Sequence, residues 1–135
     1  SKAFLALYLL SGLMGNLFVL VFSPLAVAAG ASTALFGIFG AIASLRFIAR
    51  SPYIRYLSQR YTSLILINIL FSFMPGISLA GHLGGLVGGG LLAFVFPVYG
   101  EQDSVKKSWR LVALFLYTAG AILLYAWPLL AHPFL

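Results

Sequence analysis

The sequence predicts an all-α, polytopic transmembrane helical bundle, and three observations carry that reading. Of 135 residues, 62% are hydrophobic and only ten are charged, eight basic and two acidic, where a soluble domain is about one quarter charged. The apolar residues come in runs, such as Leu64-Ile65-Leu66-Ile67 and 111–116, that are apolar on every face. Membrane β-strands would instead alternate with a period of two. The basic residues, finally, fall in every second gap between these runs. A mean hydropathy of +1.08 excludes a water-soluble globule, a disordered tail and a nucleic-acid binder, whose basic surface must sit in water. The absence of cysteine removes disulfides, thiolate metal sites and cysteine nucleophiles.

Crossing about 30 Å of hydrocarbon takes roughly 20 mostly apolar residues, and five segments meet or approach that length. The first, 3–22, is apolar apart from Ser11 and Asn16. The second, 32–48, opens on Ser32 and Thr33, residue types suited to a helix start, and ends near Arg46. The third, 63–74, has a polar lead-in and is stopped by Pro75 and Gly76, which break helices. The fourth, 79–96, carries His82 and a run of glycines at the four-residue spacing that lets membrane helices approach closely. The fifth, 109–127, is bracketed by Trp109 and Trp127, suited to the two membrane interfaces.

The charges predict orientation. Lys2 precedes the first span; Arg46, Arg50, Arg55 and Arg60 lie at the end of the second and in the connection that follows; Lys106, Lys107 and Arg110 lie between the fourth and fifth. Five alternating spans put all eight on one side, the cytoplasmic one by the bias of Lys and Arg toward that face. Glu101 and Asp103 share the last of these loops. The chain reads as one transmembrane domain, 1–135, of a multi-pass protein of the cell membrane. Because it starts at Ser1-Lys2 without an initiator Met and enters a span at once, it is expected to be the later part of a longer protein. No cleavable signal peptide is expected, since the first span is too long for one.

Polar side chains inside a bilayer are functional candidates because unpartnered ones are costly there. Toward the outer side these are Ser32, Thr33, Ser78 and His82, with Asn16 and Asn68 inside the first and third spans. Ser32 has two readings. Its hydroxyl suits an N-cap, and a nucleophile at that place would have the helix's first amides at hand for a developing oxyanion. His82 is either a polar tether between helices or a base. Ser32 lies 14 residues before Arg46 and His82 lies 16 residues before Val98, about 21 and 24 Å from the cytoplasmic ends. Gly37, Gly40, Ala41 and Ser44 give the second span a small-residue face to receive the glycines of the fourth. If the two pack there, the serine hydroxyl and an imidazole nitrogen meet, which is how a weak oxygen nucleophile is activated. Both acids lie on the opposite side, so neither a Ser-His-Asp triad nor an aspartyl pair is available. No cofactor or metal is expected, because His132, the only other histidine, has no ligand at a defined spacing.

The segment 30–37, Gly-Ala-Ser-Thr-Ala-Leu-Phe-Gly, resembles the Gly-x-Ser-Gly element of the rhomboid family of intramembrane serine proteases, and Gly81-His82-Leu83-Gly84-Gly85 resembles that family's Ala-His-x-x-Gly element. The stretch 7–17 and Phe22-Ser23-Pro24 resemble the helix before the serine loop. The resemblance implies a rhomboid-like bundle lacking the first helices of the core. It implies Ser32 as nucleophile, with its backbone amide donating to the oxyanion, and His82 as general base. Gly30 would let the chain turn in beside Ser32, Phe36 would pack by the histidine, and Gly85 would let the fourth helix approach the second. Two departures stand out: Thr33 occupies a position where the family usually has Gly, and the family's His-x-x-x-Asn oxyanion motif is missing, since position 12 is Gly.

The expected function is an intramembrane serine endopeptidase that cuts transmembrane segments of membrane-protein substrates near their outer ends. Its partners are those substrates and the lipid bilayer, not nucleic acid. Residues 72–81 would form an outer gate with Pro75 and Gly76 as hinge, or an ordinary turn. The alternative is a catalytically inactive relative that binds transmembrane clients; a transporter or channel subunit would be expected to carry intramembrane charges, and none is present.

Overall fold

The computed structural model describes residues 1–26, 30–96, 101 and 103–134. Among the described residues six helices follow in order: α1 Lys2–Phe22, α2 Gly30–Ile48, α3 Pro52–Arg60, α4 Thr62–Phe71, α5 Leu79–Val95 and α6 Lys107–Ala131. Of these, α1, α6 and residues 31–48 of α2 are long and apolar enough to cross a membrane, and α5 is apolar over 17 residues. Val98, used above to count height, lies outside the described residues.

Glycine decides the packing. A glycine face presents little apolar area to drive burial, but it lets backbones touch, and in lipid close contact is what holds helices together. Helix α5 uses two such stripes to sit between α1 and α2. Gly81, Gly85 and Gly89 face α2, where an added Cβ would run into Thr33 or Gly37; Gly84 and Gly88 face α1, where it would meet Phe18 and Met14. Gly15 of α1 completes the junction, since a Cβ there would lie 2.7 Å from the Gly81 carbonyl oxygen and 2.8 Å from Thr33 Cβ. Hydroxyls add to the hold: Ser44 donates to the Gly90 carbonyl at 3.1 Å, and Ser58 of α3 donates to the Ile42 carbonyl of α2. Helix α6 packs outside α1 and α5, where the Tyr117 hydroxyl donates to the Leu10 carbonyl at 2.6 Å. Large apolar side chains, among them Leu9, Leu70, Phe115 and Leu123, are exposed on the outside, while Ser11, Thr33, Ser72 and His82 are buried. That distribution suits a solvent of lipid.

The third segment differs from the expectation. Its helix α4 covers Thr62–Phe71 and ends three residues early, and the connection read as a loop contains α3. Ser51 caps α3 by accepting from the Ile54 amide, and Pro52 takes the first helical position, where its missing N–H costs nothing. The helical turn carries through Tyr61, whose amide donates to the Leu57 carbonyl and whose carbonyl accepts from Ile65. Together 52–71 rise about 30 Å, so the arginines here ride on a helix rather than a loop.

The charged ends gather as the spacing predicts. The Glu101 carboxylate accepts from the amides of Arg50 at 2.8 Å and Ser51 at 2.9 Å, and the Arg50 guanidinium donates to the Asp103 carbonyl. This clips the α2–α3 connection to the segment before α6. Ser1, Phe4, Leu45 and Phe96 line one cavity of about 310 Å³, so the start of α1 is at the same end.

Candidate active site

Ser32 and His82 come to the end of the bundle opposite the arginines. Ser32 is exposed and lies in the first turn of α2, which begins at Gly30. It is therefore inside the helix and not its N-cap, which corrects one of the two sequence readings. First-turn amides point beyond the helix start, and the dipole adds positive potential there. Ser78 is the residue that caps, its hydroxyl oxygen accepting from the Gly81 amide and starting α5. His82 follows one turn later.

Three contacts set the height of His82 on α2. Gly81 and Gly85, on either side of it in sequence, both abut Thr33, the neighbour of Ser32. The imidazole is stacked on Phe36, with ring centroids 3.9 Å apart and planes 12° from parallel. Phe36 stands one turn after Ser32 on the same helix face, and helical side chains lean toward the N-terminus, so its ring carries the imidazole toward the Ser32 turn. The stack and the glycine contacts leave His82 only 8% exposed.

The far edge of the ring meets a residue the sequence did not single out. Ser72, the first residue after α4, places Oγ 2.6 Å from His82 Nδ1 and 2.9 Å from the Asn68 carbonyl oxygen. It is 1% exposed. Its only sequence signal is its position one turn after Asn68. Asn68 itself is half-buried and turns its amide back to the Leu64 carbonyl at 2.8 Å, and Asn16 is exposed in an open groove of about 390 Å³ with Gly12 and Ala31. Neither joins the ring of His82.

Thr33, where a glycine was expected, points into the helix junction and is 1% exposed. Its bulk is met by Gly15 and Gly81, since a Cβ at either would lie 2.8 Å from a Thr33 side-chain carbon. Helix α5 begins at Leu79, so of the stretch read as a gate or turn 79–81 are helical and 72–78 remain outside the helices, with Gly76 at φ +84°, where glycine is favoured.

A family model for the rhomboid domain matches residues 1–98. The chain is 39% identical over 90 residues to the rhomboid protease GluP of Bacillus subtilis, covering 66% of this chain and 18% of that protein. It is 36% identical over 99 residues to RHOMBOID-like protein 1 of Arabidopsis thaliana, covering 70% and 25%, and 33% identical over 116 residues to Rhomboid-like protease 3 of Toxoplasma gondii, covering 83% and 43%. The chain thus spans less than half the length of each of these relatives. No solved structure matches it at comparable significance.

Proposed function

The chain belongs to the rhomboid family, and from that premise we propose that it is an intramembrane serine endopeptidase working through Ser32 and His82. The observation that carries this reading is the His82 ring stacked on Phe36, one helical turn from Ser32. In this reading His82 Nε2 takes the Ser32 hydroxyl proton as Oγ attacks the scissile carbonyl. The Ser32 backbone amide donates to the oxyanion at the positive end of α2. Collapse passes the proton to the leaving amine, and water, deprotonated by the same histidine, hydrolyses the acyl-enzyme.

The substrates in this reading are transmembrane segments of other membrane proteins. A helix satisfies its own backbone in lipid, so a scissile bond must leave the helix to reach Ser32, and small or helix-breaking residues near the cut favour that. Lys and Arg gathered at one end of the bundle support a cytoplasmic placement of that end, which puts the site toward the outer side of the cell membrane. The names of the Bacillus and Toxoplasma relatives include the word protease, which supports the assignment of a hydrolase.

The test is labelling of the full-length natural protein with a serine-reactive fluorophosphonate, beside Ser32→Ala and His82→Ala variants that insert normally. Labelling lost in both variants is the expected result, with turnover of a transmembrane substrate falling ~10⁴-fold in His82→Ala. A wild-type protein that neither labels nor cleaves would instead be an inactive client binder.

A further inference from the structure

His82 has two ring nitrogens, and the dyad reading uses one of them. A neutral imidazole carries a proton on one nitrogen and a lone pair on the other, and the hydrogen bond made by the first fixes which. The sequence offers no carboxylate for this task, because Glu101 and Asp103 are at the arginine end of the bundle, beside Arg50.

Ser72 fills the place. Its Oγ is 2.6 Å from His82 Nδ1 and 2.9 Å from the Asn68 carbonyl oxygen, and at 1% and 8% exposure for Ser72 and His82 water offers little alternative. A serine hydroxyl has one hydrogen to give, and a carbonyl can only accept. Were that hydrogen turned to Nδ1, the two oxygens would face each other at 2.9 Å with no proton between them. Turned to Asn68, it satisfies that contact and leaves Oγ to accept from Nδ1–H.

Resting on the Ser32–His82 reading, we propose that Ser72 is a positioning residue: it donates to the Asn68 carbonyl, accepts Nδ1–H of His82, and so holds the lone pair on Nε2 for the Ser32 proton. The bond persists when Nε2 is protonated, because Nδ1–H is present in both states. Phe36 fixes the plane of the ring by its face and Ser72 fixes its sense by its edge, preventing the flip that would exchange the nitrogens. Ser72 is also the first residue of the 72–78 connection, so displacement of the α4 end releases the base.

The test combines ¹⁵N NMR of histidine-labelled full-length protein, with His82→Gln to assign the signal by its loss, and steady-state cleavage by wild type, Ser72→Ala and Ser72→Thr. Expected are an Nδ1–H tautomer in the wild type and a mixture in Ser72→Ala. The kcat of Ser72→Ala should fall ~10–10²-fold at unchanged KM, with Ser72→Thr restoring both tautomer and rate. An Nε2–H tautomer in an active wild type overturns the role of Ser72 and leaves the dyad standing, as does Ser72→Ala with wild-type tautomer and kcat. The tautomer is read without turnover. An Nδ1–H signal in a wild type with no Ser32-dependent cleavage therefore overturns the dyad and with it the catalytic purpose of Ser72.

Discussion

Glu101 shows how one side chain at the arginine end ties two loops together. Its carboxyl is held below the ordinary glutamate value of 4.5, chiefly because the Arg50 and then the Ser51 backbone N–H donate to the ionised form; the charges of Arg50 and Arg55 add to this, and burial opposes it. A carboxyl with a lowered folded pKa contributes its stability fully above the unfolded value. As pH falls the unfolded chain takes up the proton first, so the contribution declines below 4.5 and is gone once pH has passed the lower folded value. The wild type in detergent should therefore keep its Tm from neutrality to about pH 5 and lose it below. Glu101→Gln should melt lower at neutrality and lack that part of the acid decline. Superimposable Tm–pH curves for the two proteins would show that the clip is not a stabilising contact. At the same scale, His82 was legible because a lone imidazole among glycines is hard to explain as packing. Ser72 was not, since membrane serines commonly bond their own helix and nothing in sequence names a partner ten residues on.

Among elements, the α2–α5 contact is the closest, and at Gly81, Gly85 and Gly89 it tolerates no added side chain. An added Cβ at Gly85 meets the Thr33 carbonyl, which is backbone and cannot swing aside. Gly85→Leu should destabilise the bundle by about 3 kcal/mol, whereas Gly120→Ala, where a Cβ meets nothing within 4 Å, should melt like the wild type. Equal Tm values for Gly85→Leu and wild type would mean that α2 and α5 are not in contact. This contact could be read from sequence because Gly81, Gly85 and Gly89 repeat every four residues, as do Gly84 and Gly88, and that period places each set on one helix face. Helix α3 could not be placed the same way. Its arginines point to a cytoplasmic connection, and the helix-start signal of Ser51 and Pro52 is not an apolar run. The end of α4 was set too late because 72–74 are apolar or small and hydropathy alone does not record where a helix turns.

The two ends of the whole molecule differ in composition. Six of the eight basic residues lie on or within about a turn of the α2–α3 and α5–α6 connections, Arg60 ends α3 and Lys2 starts α1, while Ser32, Phe36, Ser72 and His82 gather toward the other end. Trp109 and Trp127 are both exposed on α6 and stand about 27 Å apart along it, close to the thickness of a hydrocarbon core, a spacing that suits the two membrane interfaces. Basic residues resist transfer across a bilayer, and the arginine end should therefore remain in the cytoplasm. This stretch contains no cysteine, so single substitutions within it report this against a parent whose cysteines elsewhere are replaced. Met74, exposed beside the site, and Lys106, exposed at the start of α6, sample the two ends. In intact cells a membrane-impermeant maleimide should label Met74→Cys at once and Lys106→Cys only after permeabilisation. The reverse pattern would turn the bundle over, placing Ser32 toward the cytoplasm and requiring substrates to be cut at their inner ends.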